Sequence, residues 1–365
     1  MRKILILGNN DMGLYRFRKE LISELINMNY EVYFSVPNGP YVSKIELGGA
    51  VYKQLNFDSA GTNPISELKL LKQYGRLVQE VRPDVVLTYT LKPSLYAGIQ
   101  CKKYKIAYII NITGISPVIL DRKPLGRAVL RIYKGILNRA VTVFFQNRAN
   151  YELFEKAGVK GNSIIIPGSG VNLTEHRYED YKKYDKVRIL FVGRVVELKG
   201  ITELLQAIEL VQSKRDDVEF RIVGPCDNEY LEKLERMQKE GKLIFYGMQD
   251  GVHSFVDECN ALILPSHSEG MANVLLEAAA SGRPVLASDI PGCRETFEEG
   301  LTGFGFEKGN VNSIVRAIIK FCDLSFEAQK QMGIEGRKHV EEKFSRRIII
   351  DKYIEEISKV LGGAE

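Results

Sequence analysis

The sequence has little net charge, few cysteines and no long apolar run, and each shortage excludes a class of protein. The formal net charge of +5 is spread along 365 residues, which argues hardly at all for a nucleic-acid partner. The five cysteines form no CxxC pair, so neither a disulfide framework nor a zinc site is expected. No stretch approaches a membrane span, and the apolar run in MRKILILGNN is too short for a signal peptide. We therefore expect a cytoplasmic protein whose contact with any membrane is peripheral.

The chain instead contains short apolar runs rich in Ile and Val that alternate with amphipathic helical patterns. A chain of this length exceeds the size at which single cores stop growing, so two domains are expected. Near-continuous apolar strands between helices are typical of a parallel sheet covered on both faces. The sequence thus predicts an α/β protein with two doubly wound halves. Their strands are KILILG, EVYFSV, DVVLTYT, AYIINI, AVTVFFQ and SIIIPG, then VRILFVG, VEFRIVG, KLIFYG, NALILPS and RPVLAS.

The domain boundary is expected in the polar, charged segment 168–187, which lacks an apolar period. We expect a first domain over 1–170, a linker at about 171–185 and a second domain over 186–345. A clean apolar stripe predicts a C-terminal helix over 346–361, which could pack on either half, including back on the first. Ligands bind beyond the carboxyl ends of parallel strands, so two facing sheets would form an interdomain cleft.

The first loop, GNNDMGLYRFRKEL, follows a strand and leads into a helix, where nucleotide folds bind phosphate. Its glycines Gly8 and Gly13 do not form GxGxxG, and no GK[ST] follows, which counts against dinucleotide and P-loop sites. The loop could equally be a turn that lets strand and helix pack. Arg16 and Arg18 could meet an anionic substrate or be solvated.

Two segments of the second half carry residues suited to a long, anionic ligand. VGRVVELKG places Arg194 and Lys199 on one loop between strand and helix, and two cations near a helix N-terminus suit a diphosphate. SEGMANVLLEAAASG places the N–H groups of residues 270–273 at a helix start, which is an anion site. Glu269 before that helix and Glu277 inside it could accept hydrogen bonds from sugar or ribose hydroxyls. Alone, Glu277 could be a charge on the helix face near a domain seam.

The spacing of the two carboxylates favours binding over shared chemistry. Carboxylates that act on one bond lie roughly 5 to 10 Å apart. Eight helical residues rise by roughly 12 Å, so Glu269 and Glu277 more naturally hold opposite ends of one ligand.

These segments resemble the retaining glycosyltransferases of family 4, whose GT-B architecture has two facing Rossmann-like domains. The resemblance rests on a Glu followed by seven residues and a second Glu in EGMANVLLE, together with GRVVELKG. It implies that Arg194 and Lys199 bind the donor diphosphate and stabilise the leaving group, and that no metal or cofactor is needed. It also implies that Glu269 binds sugar hydroxyls and that Glu277 binds the ribose. The region of Met248 would contact the base, and Gly13 would approach the phosphates. Phosphate and sugar would be contacted by the amides of Gly270, Met271, Ala272 and Asn273.

The first half resembles a bacterial branch of that family that builds capsule, O-antigen and lipid-linked glycans. The resemblance lies in LTYTLKPSLYAG and NITGISPVI, and it includes enzymes that add N-acetylhexosamine to undecaprenyl-diphosphate sugars. That branch more often has TGLG where this chain has Gly114-Ile115-Ser116, and EGMPN where it has Ala272. The first departure bears on acceptor contacts, for which Arg16, Lys92 and Thr113 are the candidates.

Many family members have a histidine near the donor sugar, in the loop after the strand near position 110. This chain offers Thr113 there, so no general base is assigned. The resemblance implies a front-face reaction in which the leaving diphosphate takes the acceptor proton. The histidines at 176, 253, 267 and 339 receive no role, although His267 lies near Glu269 in sequence.

Residues 122–139 contain six basic residues and no acidic one. An apolar helical stripe is expected at positions 125, 128, 129, 132, 133, 136 and 137, with Arg127, Arg131 and Lys134 elsewhere on the helix. The commoner interpretation is a domain helix with a solvated basic face. The alternative is a helix that lies on the anionic inner membrane.

Taken together, the residues and the resemblance predict an enzyme that moves N-acetylhexosamine from a uridine diphosphate sugar to a lipid-linked saccharide. Two rivals remain open. One is a GT-B nucleotide-sugar epimerase, which would need acid and base groups that the motifs do not display. The other is a non-catalytic nucleotide-sugar-binding scaffold, which would not need two cations such as Arg194 and Lys199 to hold a diphosphate.

Overall fold

The structure, a computed structural model, describes residues 1–55, 64–114 and 124–362 and divides into two compact units. The first unit runs from Met1 to Ser169 and includes the C-terminal segment from Arg347 onward. The second unit runs from Gly170 to Arg346. The chain therefore passes twice between the units.

The first unit is built on a seven-stranded sheet in which all strand pairs are parallel. The order β3-β2-β1-β4-β5-β6-β7 reverses direction at β1, as in a doubly wound sheet. Successive side chains along a strand face opposite sides, so Ile4 and Ile6 of β1 join one core and Leu5 and Leu7 the other. The strands are β1 (Lys3–Leu7), β2 (Glu31–Ser35), β3 (Val51–Tyr52), β4 (Val85–Tyr89), β5 (Ala107–Ile112), β6 (Thr142–Phe145) and β7 (Ser163–Ile165).

Helices cover both faces of this sheet. One face carries α1 (Asp11–Asn27) and α2 (Val42–Glu46). The opposite face carries α3 (Pro64–Val81), α4 (Leu91–Tyr104), α5 (Pro124–Leu137) and α6 (Arg148–Lys156). The Asn10 side chain caps α1 by accepting a hydrogen bond from the Gly13 N–H, which places the helix start directly after β1.

The second unit repeats the scheme with six parallel strands in the order β10-β9-β8-β11-β12-β13. The strands are β8 (Val187–Val192), β9 (Val218–Val223), β10 (Ile244–Phe245), β11 (Ala261–Leu264), β12 (Val285–Ser288) and β13 (Gly303–Phe306). The helices are α7 (Ile201–Gln212), α8 (Asn228–Lys239), α9 (His253–Asp257), α10 (Asn273–Ala280), α11 (Val311–Cys322) and α12 (Phe326–Lys343), with 3₁₀ turns at Glu197–Lys199 and Arg294–Thr296.

The predicted α/β class with two doubly wound parallel sheets is confirmed. Each apolar run named in the sequence contributes a strand, whereas β3 and β13 were not predicted. β3 spans two residues and β13 reads GFGF, so neither offers the continuous apolar run that marks a buried strand. Both lie at sheet edges, where each pairs with one neighbour among the described strands.

The C-terminal helix α13 (Arg346–Leu361) packs on the first unit. Ile349, Ile350 and Ile357 are buried in the same core as α1 and the strands. The Asn111 amide donates to the Tyr353 hydroxyl at 2.5 Å, and the buried Glu356 accepts hydrogen bonds from Thr142 and Asn162. The question that the sequence left open is thereby answered for this structure.

The segment 171–185, which the sequence analysis assigns to a linker, packs on the second unit. The Tyr181 hydroxyl donates to the Asn260 carbonyl at 2.9 Å. The buried Arg283 side chain donates to the carbonyls of Glu179 and Asp180. These side-chain contacts hold a segment that lacks an apolar period.

Helix α5 carries the predicted apolar stripe and buries part of it. Tyr133, Ile136 and Leu137 are buried, whereas Ala128 is exposed and Ile132 is 52% exposed. The structure therefore buries only part of the predicted apolar stripe. Residues 122–123 and the side chain of position 125 lie outside the described residues. Within those residues, no helix combines the length and apolarity that crossing a membrane requires.

Candidate active site

Arg194 and Lys199 lie on the loop between β8 and α7, at the carboxyl end of the central strand of the second sheet. Gly200 ends this loop with φ of +68°, and a Cβ there would lie 2.0 Å from the Pro265 carbonyl oxygen. Only glycine fits such a left-handed, close approach. The β8 loop therefore lies directly against the loop that follows β11.

Where these two loops are in contact, Lys199 lies beside Glu269, the carboxylate that is predicted to bind the donor sugar. The Lys199 Nζ lies 2.5 Å from Glu269 Oε1, with side chains 21% and 11% exposed. The Ser266 hydroxyl donates to the same oxygen at 2.6 Å. The structure thus brings together two residues that lie 70 positions apart in the chain. Ser266, which the sequence analysis did not select, is a second donor to this carboxylate.

Arg194 has an exposed side chain on the same loop, and no described residue forms an ion pair or side-chain hydrogen bond with it. Its guanidinium therefore keeps five N–H donors for a ligand. Two cations from one loop, one paired with a carboxylate and one unpaired among the described residues, can together bind a diphosphate.

The loop before α10 is held by backbone contacts. The Ala272 N–H donates to the Gly292 carbonyl at 2.7 Å, and the Asn273 N–H donates to Met271 at 3.0 Å. The predicted phosphate-binding amides of Ala272 and Asn273 therefore have acceptors within the chain. Met271 and Ala272 are buried, so their side chains anchor the loop rather than face solvent. The buried Asn273 Oδ1 accepts no hydrogen bond from the described residues.

Glu277 lies in the second turn of α10 and has different neighbours from Glu269. Its Oε1 lies 4.0 Å from His176 Nε2, and its side chain is partly exposed. The two carboxylates are thus placed in separate environments, one beside a lysine and one beside a histidine. The sequence analysis gave His176 no role.

His267 contacts neighbouring loops and the start of α7. Its N–H donates to the Leu198 carbonyl at 2.9 Å, and its Nε2 lies 3.1 Å from Glu203 Oε1. These contacts join the β11 loop to the 3₁₀ turn that carries Lys199. Sequence reasoning missed Glu203, Ser266, His176 and Gly292, because only their proximity in the fold connects them with the motifs.

Behind the Lys199–Glu269 pair lies the buried Cys293. Burial, followed by the charge of Glu269, raises the pKa of this thiol well above its usual value. A neutral buried thiol packs as a small apolar group and is a poor nucleophile. Among the residues that the structure describes, no group of three or more His, Cys, Asp or Glu side chains could hold a metal ion.

Met248 follows β10, the edge strand of the second sheet, and its side chain is 70% exposed. The predicted residues of the first unit follow the carboxyl ends of β1, β4 and β5. Gly13 and Arg16 lie in the first turns of α1, Lys92 pairs with Glu67 at 2.9 Å, and Thr113 is partly buried. Ile115 and Ser116 lie outside the described residues.

Two family models match the chain, one in each unit. The model described as glycosyl transferases group 1 matches residues 174–339, and glycosyl transferase 4-like matches residues 3–147. The first match contains every candidate residue of the second unit. The second contains the four candidates of the first unit.

Curated relatives cover most of the chain. The capsular polysaccharide biosynthesis glycosyltransferase CapM of Staphylococcus aureus is 32% identical over 78% of this chain and 86% of its own. The N,N'-diacetylbacillosaminyl-diphospho-undecaprenol alpha-1,3-N-acetylgalactosaminyltransferase of Campylobacter jejuni is 25% identical over 87% of this chain and 88% of its own.

Solved structures with this fold extend over the whole length. A glycosyltransferase from Rickettsia africae covers 100% of this chain and 99% of its own, with a TM-score of 0.81 at 17% identity. Anabaena Alr3699/HepE, solved in complex with UDP, covers 98% of this chain and 100% of its own, with a TM-score of 0.78 at 18% identity. At such identities the likeness establishes the fold alone, which is GT-B.

Proposed function

The chain belongs to the group 1 glycosyltransferases, the family-4 class with the GT-B fold, and from that membership we propose a specific reaction. It transfers N-acetylhexosamine from a uridine diphosphate sugar to a lipid-linked saccharide, with retention of anomeric configuration and without a metal or other cofactor. The observation that carries the proposal is the cluster of Arg194, Lys199 and Glu269 at the carboxyl end of β8.

Within this proposal the second unit binds the donor. Arg194 and Lys199 grip the diphosphate, because a guanidinium fork and an ammonium together neutralise its charge. Glu269, held by Lys199 and Ser266, accepts hydrogen bonds from the sugar hydroxyls. Glu277 binds the ribose, Met248 lies near the base, and Gly13 of the first unit contacts the phosphates. The loop that contacts phosphate and sugar consists of Gly270, Met271, Ala272 and Asn273.

The chemical step needs charge stabilisation more than it needs a separate base. The bond between the anomeric carbon and the diphosphate oxygen breaks while the acceptor oxygen bonds to that carbon from the same face. The acceptor hydroxyl proton passes to the departing diphosphate oxygen, so atoms and charge balance. Arg194 and Lys199 stabilise the negative charge that develops on the diphosphate.

The first unit binds the acceptor in this proposal, through Arg16, Lys92 and Thr113 after the strand ends. The names of two relatives support a lipid-linked acceptor, since one acts on a diphospho-undecaprenol substrate and another in capsule biosynthesis. The complex of a structural relative with UDP supports a uridine diphosphate donor. The enzyme then acts at the cytoplasmic face of the inner membrane.

Helix α5 supports a peripheral contact with that membrane. Arg127, Arg131 and Arg139 are exposed, and the exposed Ile132 follows Arg131 directly. On the same face of the sheet, α3 exposes Ile65 and Leu68 together with the two lysines Lys69 and Lys72. Basic residues next to exposed apolar ones suit anionic lipid, where the apolar side chains enter the headgroup boundary.

Donor binding is tested first by thermal shift with uridine, guanosine and adenosine diphosphates and their common sugars. A ligand at 100 times its dissociation constant adds about 2.7 kcal/mol to stability, which raises the melting temperature measurably. We expect a uridine diphosphate sugar to stabilise the wild type, and the Arg194→Ala variant to lose most of that shift. The control is Arg316→Ala, which removes an exposed arginine of α11 and should retain the full shift.

Transfer separates the proposed enzyme from its rivals. Incubation with the stabilising donor and an undecaprenyl-diphosphate sugar should release uridine diphosphate and lengthen the lipid-linked glycan, with the anomeric configuration of the new bond read by NMR. A scaffold would bind the donor without releasing the nucleotide, even with acceptor. An epimerase would convert the donor sugar in the absence of acceptor. An inverted product would contradict the retaining mechanism.

A further inference from the structure

A second polar cluster of the second unit lies around Glu277 and is formed by His176, His253 and Arg337. These residues come from four places in the chain: the segment after Gly170, α9, α10 and α12. No motif in the sequence connects them. The cluster therefore adds contacts to a residue that the proposed function places on the donor ribose.

The backbone of His176 is fixed to the end of α10. The Arg337 guanidinium donates to the His176 carbonyl at 2.8 Å and, through the same nitrogen, to the Ala280 carbonyl at 2.7 Å. The His176 N–H donates to the Asn172 carbonyl at 2.9 Å. One arginine thus joins the histidine to the last turn of the helix that carries Glu277.

The imidazole of His176 is fixed as well. Its ring centroid lies 4.4 Å from that of His253, and its Nε2 lies 4.0 Å from Glu277 Oε1. The His176 side chain is 11% exposed, so its position depends on the protein rather than on solvent. A ring held by its backbone and by a neighbouring ring tilted 42° to it can orient the flexible carboxylate near it.

We propose that His176 is a positioning residue that orients the Glu277 carboxylate for the donor ribose. This inference rests on the proposed function, because it assumes that Glu277 binds the nucleotide part of the donor. A carboxylate that is already oriented loses less freedom on binding, so a preorganised Glu277 raises affinity for the nucleotide. In this proposal the imidazole acts through Glu277, so its loss should weaken donor binding without slowing the chemical step.

The test is a kinetic comparison of His176→Phe, Glu277→Gln and the double variant. His176→Phe keeps a ring beside His253 and removes the nitrogen that lies 4.0 Å from Glu277 Oε1. We expect the donor KM to rise by about fivefold to thirtyfold while kcat stays within about twofold, the pattern of lost ground-state binding. The double variant should bind donor no worse than Glu277→Gln alone, because residues that act through one another are not additive.

Two further variants control for structural damage. His339 lies 3.1 Å from Glu298 Oε1, a histidine–carboxylate pair of the same unit that the proposal does not involve. His339→Phe should leave the donor KM unchanged. His176→Gln, which retains an N–H donor, should recover part of the affinity that His176→Phe loses, and it serves in place of His176→Phe if that variant does not fold.

The outcomes distinguish the inference from the proposed function. If the wild type neither binds nor turns over a nucleotide sugar, the proposed function fails. If Glu277→Gln raises the donor KM but His176→Phe does not, only the role of His176 is wrong. Additive losses in the double variant, or a fall in kcat without a change in KM, would also overturn the positioning role.

Discussion

Gly292 supports the loop from Glu269 to Ala272 with its backbone alone. It adopts φ of +87°, and its carbonyl accepts the Ala272 N–H. A Cβ at this position would lie 2.8 Å from the Glu269 carbonyl oxygen and 2.9 Å from that of Gly270. Any side chain would therefore push against the loop that is proposed to hold the donor sugar.

We predict that Gly292→Ala raises the donor KM by about tenfold, because a displacement of even 1 Å in a binding loop is costly. The matched control is Gly300→Ala. Gly300 has a similar φ of +75°, but a Cβ there would meet nothing within 4 Å. Both variants should lose stability through backbone strain, and only Gly292→Ala should lose donor affinity. Equal donor KM values in the two variants would show that the contact with the loop is immaterial.

Other residues of the site differed in how far the sequence could predict them. Arg194, Lys199 and Glu269 were predicted because each lies next to a strand end that the apolar runs mark. Ser266 and His176 were not predicted, since a serine or histidine in a loop has no distinguishing pattern. Ser266 is placed by the close contact between Pro265 and Gly200, and His176 is placed by the Arg337 hydrogen bonds. Both contacts join segments that lie far apart in sequence.

At the scale of elements, α5 shows what periodicity can and cannot predict. The helix and its apolar stripe were predicted, but the pattern did not show which part of the stripe is buried. The apolar positions from 128 to 137 form a stripe wider than the area that α4 and the sheet cover. Tyr133, Ile136 and Leu137 fill that area, and Ile132 is left in solvent beside Arg131. The neighbouring elements decide which edge of a wide apolar stripe is buried. The sequence pattern of one helix carries no information about those neighbours.

This exposed face leads to a prediction about lipid vesicles. We expect the wild type to float with vesicles that contain anionic lipid, and a variant with Glu at positions 127, 131 and 139 to float far less. Each basic residue near an anionic surface contributes about 1 kcal/mol, so partitioning should fall by at least about 100-fold. The control variant places Glu at Lys214, Arg236 and Lys239, exposed residues of the second unit, and changes the net charge equally.

The control gives the experiment its specificity. If both triple variants lose flotation equally, net charge rather than α5 governs the contact. If neither loses it, the membrane interpretation of α5 is wrong, and the helix is an ordinary domain helix with a solvated basic face.

At the scale of the molecule, each unit has its own buried core. Two clusters fill the faces of the first sheet, and α13 belongs to one of them. A large cluster fills the second unit, together with a smaller one formed by Val171, Met271, Leu276 and parts of α12. The two sheets could be predicted from the sequence, whereas the unit that α13 joins could not. Its stripe of isoleucines would fit any apolar face, and buried polar pairs such as Asn111–Tyr353 select this one.

Separate cores predict two unfolding transitions in calorimetry, with different responses to the donor nucleotide. Uridine diphosphate should raise mainly the transition of the second unit, which supplies Arg194, Lys199 and Glu277, since only a state that binds a ligand is stabilised by it. Ile357→Ala in α13 should lower the other transition. The cost of such a truncation is about 2 to 5 kcal/mol, and each kcal/mol lowers the melting temperature by about 2 to 4 °C in domains of this size.

Ile318→Ala, an equally buried isoleucine of α11, is the matched variant in the second unit and should lower the nucleotide-sensitive transition instead. If Ile357→Ala instead lowered the nucleotide-sensitive transition and Ile318→Ala the other one, the nucleotide would bind the first unit. That result would contradict the donor role of Arg194 and Lys199. A single transition that both variants and the nucleotide shift together would mean that the two units unfold as one, in spite of their separate cores. Two transitions, of which the nucleotide and Ile318→Ala shift one and Ile357→Ala shifts the other, would assign donor binding to the second unit without any substitution in the site itself.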